Sequence, residues 1–216
     1  HNMKKEKIFC FDFDGTLTKK DTLLEFLRFT WGTPRFLMGF LLYSPLLVLM
    51  KLQLFPNWRV KQIIFKHFFR GMDIEDFDEC CINFAAKNLY LLRFDGIRKI
   101  QEAQRQHERV FVVSASIDNW VRPFFAFQML ANVEVLGTQI EVIDGMVTGR
   151  FKTANCYGAE KVRRIIEALA QTSNNKEKAS ASYFDRTKYE IEAFGDSRGD
   201  KEMLAFADKG HYKPFR

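Results

Sequence analysis

Two aspartates separated by one residue, Asp12 and Asp14, have the types and the spacing that chemistry at a phosphate requires. A short apolar run precedes them, and Gly15 and Thr16 follow. Because glycine permits a sharp change of chain direction, both carboxylates can point into the same space beyond the end of a strand. One can attack a phosphoryl group to form an acyl phosphate, while the other protonates the leaving alcohol and then activates water. The segment therefore predicts stepwise phosphoryl transfer.

Other residues that such chemistry needs occur far along the chain. Two carboxylates and a phosphate repel one another unless cations are present, and an oxygen-rich site of this kind suits Mg²⁺. Asp196 supplies a third carboxylate, and Asp200 can ligate the metal ion or hold a water bound to it. Lys161 can neutralise phosphoryl oxygens, and Ser114 can donate a hydrogen bond to one of them. Together these residues predict a Mg²⁺-assisted site.

Each of these residues also has a structural interpretation when it is taken alone. The Asp12 and Asp14 pair can cap a turn, and Ser114 can cap the helix after its strand. Lys161 can be a solvated helix residue, and Asp200 a helix-terminal acid. Their joint occurrence in one chain favours the catalytic interpretation.

Short apolar runs lead into the polar residues and indicate how they are positioned. Residues 7–11, 110–113 and 191–194 resemble buried parallel strands, and residues 96–108 resemble a helix between the first two. Strands that alternate with helices indicate an α/β fold. Because open parallel sheets bind ligands beyond the carboxyl ends of their strands, Asp12, Ser114 and Asp196 are expected to converge.

The chain between the first two strands is too long for one crossover helix. Residues 22–93 are rich in Leu and Phe with helical periodicity, and we interpret them as a helical cap that excludes water during chemistry. Asp144-Gly145 predicts a hairpin, which is expected to decorate the core. Residues 171–182, rich in Ser, Asn and Lys, predict a loop.

The motifs and their order are similar to those of the haloacid dehalogenase superfamily: Asp12-x-Asp14-Gly15-Thr16, Ser114, Lys161 and Gly195-Asp196-Ser197-Arg198-Gly199-Asp200. The resemblance implies an α/β fold with a Rossmann-like three-layer core, a parallel sheet and an inserted helical cap. The core would be residues 3–21 and 94–216, and the cap residues 22–93. It also implies that Asp12 is the nucleophile, that Asp14 is the acid/base and a metal ligand through its carbonyl, and that Asp196 is a metal ligand.

The position of the insertion resembles the subgroup that contains phosphoserine phosphatases. By that resemblance Gly15, Thr16, Ala115 and Ser116 surround the phosphate. Asp21 stands where phosphoserine phosphatase usually offers a glutamate to the substrate ammonium, and Ser114-Ala115-Ser116 replaces its usual Ser-Gly-Gly. From their place in the later cap helices, Arg59 and Arg70 are candidates to bind a second anionic group of the substrate.

The charge of the chain favours anionic partners. Its 33 Lys and Arg against 27 Asp and Glu give a net charge of +6. The sequence has no zinc-finger spacing, aromatic RNA-binding motif or long basic tract, so we expect no nucleic-acid binding.

Four cysteines without paired spacing fit a reducing cytoplasm. Residues 36–50 are uncharged but shorter than a usual membrane span. They are expected to pack within the cap or to lie peripherally on a membrane surface, with a transmembrane span as the third alternative.

The reaction is better defined than its substrate. Among the candidate substrates, we rank a small phosphomonoester first, a phospholipid headgroup monoester such as phosphatidylglycerophosphate second, and phosphoserine third. The stretch from Gly195 to Leu204 also resembles bacterial relatives that include a phosphatidylglycerophosphate phosphatase with a similarly apolar cap. Two alternatives remain: a phosphotransferase that passes phosphate to an alcohol, and a non-catalytic module that binds a membrane or a protein.

Overall fold

A five-stranded parallel sheet forms the centre of the molecule. The computed structural model describes residues 3–130, 132–172 and 184–216. The spatial order of the sheet is β3-β2-β1-β6-β7, and every neighbouring pair is parallel. The strands are β1 (Glu6–Phe11), β2 (Arg109–Ile117), β3 (Glu134–Thr138), β6 (Tyr189–Gly195) and β7 (Lys209–Tyr212), while β4 (Ile140–Ile143) and β5 (Met146–Phe151) form a separate hairpin.

Helices cover both faces of this sheet. Along β1, Phe9 and Phe11 belong to one buried cluster, whereas Ile8 and Cys10 belong to the other. Because successive side chains of a strand point to opposite faces, the sheet is the middle of three layers. The Rossmann-like α/β fold is therefore confirmed. The helices after the insertion are α6 (Phe94–Arg105), α7 (Asp118–Ala126), α8 (Ala159–Thr172) and α9 (Lys201–Phe206).

The insertion between β1 and β2 is helical, as its periodicity predicted. Asp21 caps the first of its helices, because its side chain accepts hydrogen bonds from the Leu23 and Leu24 amides. The division into a core and a cap at residues 22 and 93 stays a prediction. The inserted helices are α1 (Thr22–Trp31), α2 (Thr33–Leu42), α3 (Ser44–Lys51), α4 (Asn57–Phe69) and α5 (Ile74–Lys87).

An aromatic cluster joins the insertion to the core. The ring of Phe26 in α1 stacks on Trp120 of α7, with centroids 4.8 Å apart, and also meets Phe69, Phe77 and Phe84. Phe26 and Trp120 are fully buried. Aromatic pairs at these separations add to the stability that apolar burial provides. This cluster fixes α1 above the end of the sheet.

The hairpin packs on the insertion, so the expectation that it decorates the core was wrong. The ring of Phe151 in β5 lies 5.9 Å from that of Phe65 in α4. Backbone hydrogen bonds run from Gly71 to Val147 and from Ile74 to Gly145, each 2.8 Å long. The apolar side chains of the hairpin need a hydrophobic neighbour, and α4 provides it.

Two other sequence predictions concern helix ends and membrane spans. Of the loop predicted at residues 171–182, Gln171 and Thr172 belong to α8, and residues 173–182 lie outside the described residues. In the described part of the chain, each helix by itself is too short or too polar to cross a bilayer. Helices α2 and α3 together reach the required length and composition, but they meet at an angle of 63°.

We predict that Phe26→Ala destabilises the protein by about 3–5 kcal/mol, because it removes the centre of the aromatic cluster. Urea denaturation followed by fluorescence measures the free energy of unfolding. Phe29→Ala is the matched control, since Phe29 lies in the same helix but is 36% exposed. Equal losses for the two variants would contradict the role given to the cluster.

Candidate active site

A cavity of about 560 Å³ lies beyond the carboxyl ends of β1, β2 and β6. Its polar end is lined by Asp12, Asp14, Asp196, Asp200 and Lys161. Strand β1 delivers the first two, the turn after β6 delivers the next two, and the first turns of α8 deliver the lysine. The convergence expected of parallel strands is thus present.

Lys161 is at the centre of this charge cluster. Its Nζ donates hydrogen bonds to Asp12 Oδ1 (2.7 Å), Asp200 Oδ1 (2.6 Å) and the Val113 carbonyl (2.9 Å). The side chains of Lys161 and Asp200 are 2% and 1% exposed. All three donors of the ammonium group are used, as a buried charge requires.

Burial and neighbouring charges shift the pKa values of this cluster. Burial raises the pKa of Asp12, although Lys161 opposes the shift. Burial would lower the pKa of Lys161, but Asp12 and Asp200 outweigh it and raise this pKa. Burial also acts to raise the pKa of Asp200, but the charge of Lys161 and hydrogen bonds to the carboxylate bring it below its usual range. Lys161 thus favours the ionised form of both carboxyl groups.

The turn after β6 is held in place by Asp200. Its Oδ2 accepts hydrogen bonds from the amides of Asp196 (3.0 Å) and Ser197 (3.1 Å). A side chain at Gly195 would not fit, since its Cβ would lie 2.6 Å from Asp200 Cβ. Both carboxylate oxygens of Asp200 are therefore occupied by protein donors.

Thr16 and Gly15 bring Asp12 and Asp196 together. Thr16 Oγ1 lies 2.9 Å from Asp12 Oδ2 and 3.2 Å from Asp196 Oδ1. Gly15 has a φ of +82°, and a Cβ there would lie 2.1 Å from Asp196 Oδ2. Only glycine permits both this backbone conformation and this close approach.

The carboxylate of Asp14 is oriented by groups from two other elements. Its Oδ1 accepts hydrogen bonds from the Thr22 amide (2.8 Å) and the Thr22 hydroxyl (2.6 Å). Ser116 Oγ donates a short hydrogen bond to Oδ2. Trp120 Nε1 donates to Thr22 Oγ1 at 3.0 Å. The start of α1 thus holds Asp14 directly.

Three of these carboxylates form a donor set that fits a hard divalent cation. One oxygen from each of Asp12, Asp196 and Asp200 lies within 4.8 Å of the others. Carboxylate oxygens are the ligands that Mg²⁺ prefers, and it keeps several waters. All three carboxylates also contact protein donors: Lys161 binds Asp12 and Asp200, two amides bind Asp200, and an Arg216 nitrogen lies 3.0 Å from Asp196 Oδ2.

Most of the predicted residues line the cavity, but Thr16, Ser114, Arg59 and Arg70 do not. Ala115, Ser116 and Asp21 line it, and Thr16 contacts two of its carboxylates. Ser114 is fully buried in β2, where its hydroxyl accepts a hydrogen bond from the Ser116 amide at 3.0 Å. Arg59 and Arg70 are exposed and lie outside the cavity.

Arg59 and Arg70 thus lie apart from the other candidates, and helical periodicity gives the reason; their contact with an anionic group of the substrate stays a prediction. The residues of α4 that line the cavity are spaced at i, i+3, i+4 and i+7: Asn57, Val60, Lys61 and Ile64. Arg59 points away from this face and covers the ring of Trp58 at 5.2 Å. Arg70 follows the last residue of the helix.

Lys61 is a charged cavity residue that the sequence analysis missed. Its Nζ donates a short hydrogen bond to the Ala115 carbonyl and one of 3.2 Å to Asn155 Oδ1. Burial lowers the pKa of Lys61 to about 8, although Asp14 and Asp21 oppose the shift. Burial and Asp14 raise the pKa of Asp21 to about 6. The helical spacing from Val60 and Ile64 was the signal that could have identified Lys61.

The remaining wall of the cavity is apolar. It consists of side chains from all four helices that precede α5: Leu23, Leu24, Leu27, Phe40, Leu47, Met50, Val60 and Ile64. The cavity therefore combines an acidic end with a hydrophobic wall supplied by the insertion.

Comparisons with known proteins agree with this architecture. A family model described as haloacid dehalogenase-like hydrolase matches residues 9–205. Protein CicA of Caulobacter vibrioides, from strains NA1000 / CB15N and ATCC 19089 / CIP 103742 / CB 15, is 31% identical over 209 residues, which are 96% of this chain and 86% of CicA.

Solved structures show the same fold. A protein of unknown function from Bordetella pertussis Tohama I superposes with a TM-score of 0.78 at 15% identity, over 96% of this chain and 89% of that one. A phosphoserine phosphatase with an analogue of its phospho-aspartyl intermediate gives 0.58 at 18% identity, over 96% and 86%. The chain belongs to the haloacid dehalogenase-like hydrolase family, and the resemblance seen in its motifs is confirmed.

We predict a pH-dependent stability that arises from Lys61. The folded protein releases the Lys61 proton near pH 8, whereas the unfolded chain keeps it until about 10.5. Between these values the unfolded state binds more protons, so the free energy of unfolding rises with pH. Relative to Lys61→Met, the unsubstituted protein should therefore gain stability over this window.

Urea denaturation at several pH values measures this difference. Lys66→Met is the matched control, because it removes an exposed ammonium group from the same helix. A difference between the protein and Lys61→Met that stays constant across the window would contradict the prediction.

Proposed function

We propose that this protein is a Mg²⁺-dependent phosphatase that hydrolyses a phosphomonoester through an aspartyl-phosphate on Asp12. The observation that most strongly supports this function is the environment of the Asp12 carboxylate. It lines the cavity, pairs with Lys161 at 2.7 Å, and has ligand atoms of Asp196 and Asp200 within 4.8 Å. A nucleophilic carboxylate beside a fixed ammonium group and a cation site suits attack on an anionic phosphate.

In the first step, an Asp12 carboxylate oxygen attacks phosphorus and the ester P–O bond breaks. The alcohol oxygen leaves with a proton from the carboxylic acid form of Asp14. Hydrogen bonds from Thr22 and Ser116 hold that side chain in a fixed orientation. Lys161 lies where its positive charge can stabilise the phosphoryl oxygens.

In the second step, water attacks the phosphorus of the aspartyl-phosphate. Asp14, now a carboxylate, takes the proton of this water, and the bond between phosphorus and the Asp12 oxygen breaks. Inorganic phosphate leaves, and both side chains return to their starting states.

Asp12, Asp196 and the backbone carbonyl of Asp14 would hold the Mg²⁺ ion, and Asp200 would fix the turn that carries Asp196. When bound, the ion supplies positive charge that offsets the repulsion between the carboxylates and the phosphate. In this proposal residues 22–93 serve as the cap, which excludes water from a core of residues 3–21 and 94–216.

We predict that Asp12→Asn lowers phosphate release at least about 1000-fold, because the amide cannot form the acyl phosphate. Release from p-nitrophenyl phosphate is measured with Mg²⁺ and with EDTA. Asp95→Asn is the matched control, since that carboxylate is 68% exposed in α6. Loss of release in EDTA, with Asp95→Asn unchanged, is the expected pattern.

Full turnover in Asp12→Asn, or in EDTA, would exclude the proposed mechanism. No release from any substrate by a protein that still binds Mg²⁺ would favour the non-catalytic binding module. If added glycerol captures the phosphate as glycerol phosphate, the protein is a phosphotransferase and not a hydrolase.

A phosphomonoester with an acyl chain, such as a phospholipid headgroup monoester, is a second candidate substrate. The apolar wall supplied by α1–α4 favours it, because a small polar ester would leave that surface unused. Phosphoserine is a third candidate, since Asp21 lines the cavity and can face an ammonium group.

We predict that a short-chain lysophosphatidic acid is hydrolysed with a lower KM than p-nitrophenyl phosphate or phosphoserine. Leu24→Gln, which makes the wall polar, should raise the KM for the lipid about tenfold and leave that for p-nitrophenyl phosphate nearly unchanged. Ile82→Gln is the control, because Ile82 lies in α5, is exposed and is outside the cavity. A preference for phosphoserine that Leu24→Gln leaves intact would contradict the lipid assignment.

A further inference from the structure

We propose that helices α2 and α3 dock the protein on an anionic lipid surface. The contact is the apolar face of α2 and α3, which we define as Leu37, Met38, Leu41, Leu42, Val48 and the adjoining Leu52, which directly follows α3. Met38 and Leu41 are 72% and 77% exposed. In the described part of the chain, ten of the 22 exposed large hydrophobic residues lie between positions 37 and 58. Such a concentration marks a binding surface rather than scattered surface residues.

The charge around this face favours an anionic partner. Residues 26–72 contain seven Lys and Arg and no Asp or Glu, although Asp and Glu supply 27 residues of the whole chain. Arg35 lies in the first turn of α2, Lys51 ends α3, and Arg59 lies in the first turn of α4; all three are exposed. Basic side chains next to an apolar face are the combination that anionic membranes attract.

The dimensions of the two helices suit the interface of a bilayer and not its interior. At 1.5 Å per residue, α2 is about 15 Å and α3 about 12 Å long, whereas the hydrocarbon core is about 30 Å thick. The bend of 63° also lets each helix lie along the surface. None of the residues of α3 is buried, whereas Phe36 and Gly39 attach α2 to the rest of the insertion.

The face is continuous with other apolar surfaces. A groove of about 730 Å³ runs between α2 and α4, where Met38, Leu41 and Leu42 lie opposite His67 and Phe68, with Arg35 among its lining residues. On their other side the same helices place Phe40, Leu47 and Met50 in the wall of the Asp12 cavity. Docking would therefore bring the cavity next to lipid.

A second copy of this chain fits the face less well than lipid does. Two copies in contact through residues 26–72 would bring together cationic segments that have no acidic partner. An anionic bilayer supplies the negative charge and the apolar interior at once. The inference does not depend on the catalytic proposal, because vesicle binding is measured without turnover.

The test is binding of the full chain to phosphatidylcholine vesicles with and without phosphatidylglycerol, measured by flotation. Binding is expected with the anionic vesicles, at least tenfold stronger than with phosphatidylcholine alone. Met38→Glu/Leu41→Glu should weaken it at least tenfold, because two apolar anchors are lost. Arg35→Gln/Lys51→Gln should weaken it by about tenfold or more.

Matched controls separate these effects from general changes of hydrophobicity and charge. Phe94→Glu/Met129→Glu alters residues that are 70% and 86% exposed outside the insertion, and Arg98→Gln/Arg105→Gln removes two charges from α6. Circular dichroism and urea denaturation report that each variant is folded. Control variants should bind as the unsubstituted protein does.

Three outcomes would overturn the inference. The first is absence of binding to anionic vesicles by the folded protein. The second is binding that Met38→Glu/Leu41→Glu weakens no more than Phe94→Glu/Met129→Glu. The third is a dimer in light scattering that Met38→Glu/Leu41→Glu dissociates, which would assign the face to a second copy of the chain.

Discussion

The contact of Lys161 with Asp12 and Asp200 is the constraint on which the acidic end of the molecule depends. It joins the end of β1, the turn after β6 and the start of α8, which are far apart in sequence. Three buried charges are costly unless each is paired, and removal of one partner from such a group typically costs about 3–5 kcal/mol. Without the ammonium group, two carboxylates would face each other in a nearly dry site. The same ammonium group opposes the rise in the pKa of Asp12 that burial causes, so one contact favours both the folded state and the carboxylate form that nucleophilic attack requires.

The rest of the site is built around that contact. Asp200 uses its second oxygen to hold the backbone of Asp196 and Ser197, and Gly15 leaves the space that Asp196 needs. On the other side, Asp14 is held by the first residue of α1, whose hydroxyl also receives a hydrogen bond from Trp120. The insertion is therefore connected to the reacting groups by hydrogen bonds as well as by the Phe26 and Trp120 stack. A shift of α1 would disturb Asp14 at once.

The insertion gives the cavity two chemical characters. The core supplies carboxylates and an ammonium group, while α1 to α4 supply an apolar wall and Lys61. Because Lys61 reaches the Ala115 carbonyl at the end of β2, the insertion also contacts the core across the cavity. Helices α2 and α3 have an exposed apolar side as well as a cavity side, so one element connects the site with the outer surface.

The sequence by itself determined the α/β fold, the family and the identity of the acidic residues. Those features depend on local patterns: apolar runs that end in acids, Gly15 beside Asp14, and the fixed order of Asp12, Ser114, Lys161 and Asp196. Only the tertiary structure decided which cations face the cavity, because that choice depends on how α4 is rotated about its axis. Arg59 and Lys61 are two residues apart, yet one covers Trp58 and the other lies beside Ala115. The tertiary structure also decided where the hairpin packs. The sequence shows that Val147 and Phe151 are apolar but not which surface buries them, and in the folded chain that surface is α4.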